Sequence, residues 1–109
     1  MADGWIAETT FVLRRRDGTR TPVHMGIRAP RRVGAAEWSC TLSLQGAYND
    51  LAPMVGNDAI QALGLAWGLA RQLLAALEGT GAILEYESGE PVRLSAYFGP
   101  SGDHPNPAT

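Results

Sequence analysis

The chain has 109 residues, enough for one domain that buries about 65% of its unfolded surface. Hydrophobic residues at 45% and charged residues at 18% exclude a disordered polyelectrolyte, and a formal charge of −2 argues against wholesale nucleic-acid binding. A single cysteine excludes an internal disulfide and fits a reducing cytoplasm; Met-Ala-Asp-Gly-Trp at the start lacks the basic-then-apolar pattern of a signal peptide.

Residues 5–16 and 19–29 read as two strands joined around Asp17-Gly18. A two-residue turn would set Leu13 opposite Pro22 and scatter apolar residues over both faces. A three-residue loop, Arg16-Asp17-Gly18 with Gly18 left-handed, sets Leu13 opposite Thr21, Phe11 opposite Val23, Thr9 opposite Met25 and Ala7 opposite Ile27. Only this register gathers one core face, so it is the one expected.

Residues 29–36 carry breakers and read as a loop, and 37–46 as a third strand. There Trp38, Cys40, Leu42 and Leu44 alternate with Glu37, Ser39, Thr41, Ser43 and Gln45, so one face is buried and the other wet. An irregular stretch, 47–57, leads to a long Ala/Leu-rich run, 58–78, that reads as one helix. Asp58 is its expected cap, with Gln61 reaching back, and Gly79 its expected left-handed terminator. Strands at 82–87 and 92–98 follow, and 99–109, rich in proline, is expected to be a loose tail. The expected fold is α+β: one domain over 1–98, strand order βββαββ, a mostly antiparallel sheet with the long helix packed on one face.

The helix is more apolar than one contact face requires. Leu63, Ala66, Trp67, Ala70, Leu73, Leu74 and Leu77 form the stripe expected on the sheet. Opposite them lie Gly64, Gly68 and Ala75 beside Gln61 and Gln72. Two glycines inside a helix cost about 1 kcal/mol each relative to alanine. Either another backbone approaches Gly64 and Gly68 closely, as at an interface, or they clear space for a bulky core residue such as Trp5 or Trp38. The helix is long enough to span a bilayer, but Gln61, Arg71 and Gln72 inside it speak against a membrane.

Cys40 alternates with core residues and is expected to be buried and inert. On the outer face of the hairpin His24 stands opposite Thr10 and diagonal to Glu8, with Arg28 further along the strand. A Glu–His pair can transfer protons, but needs a pocket that excludes water. An open sheet face offers none, unless the loop 47–57, with Tyr48 and Asp50, closes over it or a dimer buries it. Arginines form two poles, Arg14, Arg15, Arg16 and Arg20 at the hairpin tip and Arg28, Arg31 and Arg32 at its other end, rather than one basic stripe. No phosphate loop, nucleophile elbow or zinc spacing occurs, so no catalytic residue, metal or cofactor is assigned.

Trp5-Ile6-Ala7-Glu8-Thr9-Thr10-Phe11, Glu37-Trp38-Ser39-Cys40 and Gly56-Asn57-Asp58-Ala59-Ile60-Gln61-Ala62-Leu63 together resemble a family of small uncharacterised bacterial proteins, a domain of unknown function. The resemblance implies an N-terminal antiparallel sheet with one long helix and transfers no catalytic residues.

The leading expectation is a cytoplasmic, non-enzymatic interaction or assembly module. Its partner is a protein or a second copy, and its contacts lie at Gln61, Gly64, Gly68 and Gln72 on the helix and Arg14, Arg16 and Arg20 at the tip. The competing expectation is a small-molecule binder or weakly specified enzyme using Glu8, Thr10, His24 and Arg28.

Overall fold

The N-terminal third folds as an antiparallel hairpin in the register that gathers one apolar face. In the computed structural model, which describes residues 4–100, β1 (Trp5–Arg14) pairs with β2 (Arg20–Arg28). Leu13 lies opposite Thr21, Phe11 opposite Val23, Thr9 opposite Met25 and Ala7 opposite Ile27. The loop requires a left-handed residue, and Gly18 supplies it at φ +90°. The Arg15 N–H donates to the Thr19 carbonyl at 2.9 Å, and the Gly18 N–H to the Arg15 carbonyl at 2.9 Å. Asp17 accepts from the Thr19 hydroxyl at 2.6 Å and from its N–H at 2.9 Å. The hydroxyl bond holds the Asp17 carboxyl below the usual carboxylate range.

Residues 29–36 are not a plain loop: β3 (Arg31–Gly34) pairs with β4 (Glu37–Cys40) across an Ala35-Ala36 turn. No Asn-Gly pair announces this turn. Instead the Arg32 guanidinium donates to the Gly34 carbonyl at 3.1 Å and the Ala35 carbonyl at 2.9 Å, tying it from the side.

The single strand expected over 37–46 breaks at Thr41 into β4 and β5 (Leu42–Gln45), which enter different sheets. The Thr41 carbonyl still accepts from the Arg28 N–H at 3.0 Å, so the chain bends without losing contact with β2. Its alternation survives the bend, with Cys40, Leu42 and Leu44 buried and Trp38 packed against the core. Within 47–57, β6 (Met54–Gly56) pairs with β4.

Asp58 caps α1 (Ala59–Gly79), its carboxylate accepting from the Gln61 N–H at 2.8 Å. The Gln61 amide oxygen reaches back to the Asn57 N–H, one residue earlier than in a capping box. Gly79 is not the terminator. It stays helical, Thr80 caps with its hydroxyl on the Leu77 carbonyl at 2.6 Å, and the left-handed position falls to Gly81 at φ +92°.

The order βββαββ is corrected at the C-terminal end as well. β7 (Ile83–Glu85) adds to the outer edge of β1, but 92–98 forms no second strand. Pro91 has no N–H to give a ladder. The Val92 N–H makes one bond to the Leu84 carbonyl at 2.8 Å, and the chain then turns into the short helix α2 (Ser95–Phe98). Aromatic packing directs it there: Tyr97 meets Phe11 at 5.3 Å and Phe98 meets Trp67 at 4.7 Å between ring centroids. Tail residues 101–109 lie outside the described residues.

The result is α+β, with a four-stranded sheet ordered β5-β2-β1-β7 and a three-stranded sheet ordered β3-β4-β6, both antiparallel. The helix packs against both sheets through Ala62, Ala66, Ala70, Leu74 and Leu77, a stripe rotated from the expected one so that Leu63, Trp67 and Leu73 become half-buried flanks. Alanines permit the close approach this requires. At β6 the helix backbone comes so near that a Cβ on Gly56 would stand 2.7 Å from the Ala62 nitrogen. By length and composition alone α1 could cross a membrane, its best window having a mean hydropathy of 1.3. A core helix passes the same test, and here the inner stripe lies on the sheets.

Candidate functional site

Two surfaces collect the residues singled out from the sequence. The first is the side of α1 turned away from the sheets. At 100° per residue the buried stripe leaves Gly68 at the centre of the opposite side, flanked by Gly64, Ala75, Gln61 and Gln72, all exposed. Among the described residues, a Cβ built on Gly64 or Gly68 meets nothing within 4 Å. Clearing space for Trp5 or Trp38 is therefore not what these glycines do. Trp5 sits on the outer face of the other sheet, against His24, and Trp38 packs at the helix N-terminus.

The two ends of this helix face differ in relief. Near its N-terminus Ile60 projects, 83% exposed, beside Trp38. Near its C-terminus a groove of about 620 Å³ runs between α1 and α2, lined by Gly68, Arg71, Gln72, Leu94 and Phe98. One end is a knob and the other a hollow.

At the hairpin tip, Arg14 and Arg20 stand directly opposite one another, an arrangement of like charges that is unfavourable in isolation. The nearly buried Glu85, delivered by β7, answers both. Arg14 donates to it at 2.9 Å, and Arg20 approaches its other oxygen at 3.4 Å. The Arg16 chain lies over Gly81. Two of the three tip arginines named from the sequence are thus engaged within the chain, holding β7 to the hairpin.

The second surface is the outer face of the four-stranded sheet. His24 Nε2 lies 2.8 Å from Glu8 Oε1, as the register required, and its Nδ1 lies 3.0 Å from the Ser43 hydroxyl. Glu8, His24 and Ser43 form a diagonal row across β1, β2 and β5. Thr10 faces His24 in register but takes no part in the row. Beneath the ring, Gly26 leaves so little room that a Cβ there would stand 2.7 Å from His24 Cε1, and the Trp5 ring meets the imidazole at 4.9 Å. Trp5 also carries the Arg28 guanidinium 4.1 Å above its ring.

Beside this row the loop after β5 closes a cleft of about 210 Å³, lined by Arg28, Ser43, Gln45, Tyr48 and Asp50 as well as Trp5. Asp50 has a left-handed backbone at φ 58°, and the Tyr48 hydroxyl donates to the Leu73 carbonyl at 3.3 Å, fixing the loop to the helix. Arg28, Tyr48 and Asp50 are thus brought together as the sequence suggested. Ser43 was missed as a site residue. Its alternation put it on the wet face, but only the β2–β5 pairing places it against His24. Cys40 is buried, with its thiol pushed up by burial, as expected of an inert core residue. Among the described residues no cluster of His, Cys, Asp and Glu is arranged to hold a metal ion.

Compared with known proteins, the chain matches no family model, no curated protein and no solved structure.

Proposed function

We propose that this protein is an assembly module of the cytoplasm that self-associates through the outer face of α1. The observation that carries the reading is the open glycine face. Gly64 and Gly68 sacrifice about 1 kcal/mol each of helix propensity and have, among the described residues, no neighbour to justify it.

A second copy fits this face better than an unrelated protein because the face is complementary to itself. In an antiparallel crossing with a two-fold axis near the level of Ala66, Gln61 stands across from Gln72 of the second copy, and Gly64 across from Gly68. Ile60 of each copy then points toward the groove beside Phe98 of the other. Such an isologous contact closes as a dimer. Two crossed helices alone would form a contact at the low end of specific interfaces, below about 1,200 Å². The knob and groove extend it at both ends. Gln61, Arg71 and Gln72, set among the apolar residues, favour a protein rather than lipid as the neighbour.

Light scattering coupled to size exclusion, on the wild type and on Gly64→Leu/Gly68→Leu, tests the reading. A wild-type dimer and a folded monomeric variant are expected. A wild-type monomer at high micromolar concentration overturns it.

A further inference from the structure

The outer face of the four-stranded sheet carries a second chemistry, independent of the helix face and complete within one chain. An ionised carboxylate can only accept hydrogen bonds, so the 2.8 Å contact with Glu8 assigns the ring proton of His24 to Nε2. In the singly protonated ring Nδ1 then carries the lone pair toward Ser43, and the serine hydroxyl is the donor across 3.0 Å. The alternative acceptor for that hydroxyl, the His24 carbonyl, is more distant at 3.4 Å. The Gln45 N–H also points at the Ser43 oxygen, from 3.3 Å. The Ser43 hydroxyl is thus bonded to the imidazole, and the imidazole to a carboxylate. Trp5 and the close approach of Gly26 hold the ring in place.

A diagonal polar row of this kind would be a simple cross-strand staple if Ser43 faced bulk solvent. Ser43 lines a cleft instead, with His24 and Glu8 partly exposed beside it. Ser43 shares the hollow of about 210 Å³ with Arg28, which has no carboxylate partner among the described residues and is oriented by stacking on Trp5. This volume lies below the roughly 300–1,000 Å³ of sites for drug-sized ligands and is ample for a short acyl group.

The geometry points to Ser43 as the nucleophile of an acyl-transfer site for small carboxylic esters, with His24 as its general base and Glu8 as the positioning residue. In the step, the Ser43 oxygen bonds to the ester carbonyl carbon while its proton passes to His24 Nδ1. The carbon–oxygen bond to the leaving alcohol then breaks, and that alcohol departs with the proton from His24. Water repeats the sequence on the acyl-serine, releasing the acid and restoring Ser43. Arg28 is the group on hand to meet negative charge developing in the cleft.

The test uses the full chain with a fluorophosphonate probe, read by peptide mass spectrometry, and with p-nitrophenyl acetate. Ser43 is expected to be the serine that gains the phosphonyl adduct. Ser43→Ala abolishes labelling, His24→Gln slows it by about 100-fold or more, and Ser88→Ala, in an exposed turn, labels like the wild type. Glu8→Gln lowers the maximal labelling rate while the half-saturating probe concentration stays unchanged, a split that a merely structural role would not produce. Amide NMR spectra establish that each variant keeps the hairpin. An unmodified Ser43 in folded wild type overturns the assignment, as does Ser43→Ala hydrolysing p-nitrophenyl acetate at the wild-type rate. Neither result bears on self-association.

Discussion

Replacing both Gly64 and Gly68 by alanine is expected to stabilise the isolated chain while weakening its association, two effects of opposite sign from one change. Among the described residues neither position has an atom within 4 Å of the methyl that would be added, so no clash arises there. Each substitution recovers about 1 kcal/mol of helix propensity, and the pair about 2 kcal/mol. For a domain of this size 1 kcal/mol shifts Tm by roughly 4–8 °C, so a rise of roughly 8–16 °C is expected. In the proposed dimer the same methyls would fall between two backbones, where small residues set how closely the helices approach. The assay is urea and thermal unfolding at concentrations low enough to hold the wild type monomeric, because association itself adds stability by mass action. A lower urea midpoint with unchanged slope would refute the reasoning, since it would mean the glycines accommodate something within their own chain.

Glu85→Gln is expected to cost about 1–3 kcal/mol by urea denaturation. It leaves Arg14 and Arg20 face to face without their shared anion, and the half-exposed arginines keep the loss from being larger. High salt should shrink the difference by screening the arginine pair, and an unchanged midpoint would remove Glu85 from the account of how β7 is held. For Cys40, the folded thiol keeps its proton to higher pH than the unfolded one, because burial disfavours the thiolate. Its contribution is therefore constant below the free-thiol range of about pH 8.5 and is lost as pH rises above it. Cys40→Ala should flatten that decline in a pH series of unfolding curves. The Tyr97 hydroxyl, pushed up chiefly by its bond with Tyr86, is present in both proteins and cancels in the comparison.

What could be read before the structure follows the range of the interactions involved. The hairpin register was legible because one local choice of loop decided the face of every side chain from Ala7 to Ile27. The capped start of α1 was legible for the same reason, through Asp58 and Gln61. The β3–β4 turn was hidden because a side chain, Arg32, supplies what turn residues normally supply. The break at Thr41 leaves no mark on the alternation of 37–46, since bending a strand between sheets keeps its inner face inward. The last segment was misread because Val92, Leu94 and Phe98 alternate as a strand would, while aromatic contacts with Phe11 and Trp67 decide its path. At the candidate sites, Glu8 and His24 belong to one hairpin and could be paired by register. Ser43 arrives from a third strand across a non-local pairing, and Glu85 reaches the arginine tip from beyond the helix.

The proposed antiparallel contact of two copies through α1 can be probed by cysteine cross-linking with the buried Cys40 left in place. A chain carrying both Gln61→Cys and Gln72→Cys is expected to oxidise rapidly to a covalent dimer, because in the proposed dimer each residue would face the other across the two-fold axis. Either substitution alone should cross-link poorly, since identical positions lie roughly 16 Å apart along the axis at 1.5 Å per residue. Disulfide formation requires Cα atoms within about 7 Å. Covalent dimer from the double variant and not from the single ones is the predicted result. Monomer throughout, or single variants that link as fast as the double, would contradict it.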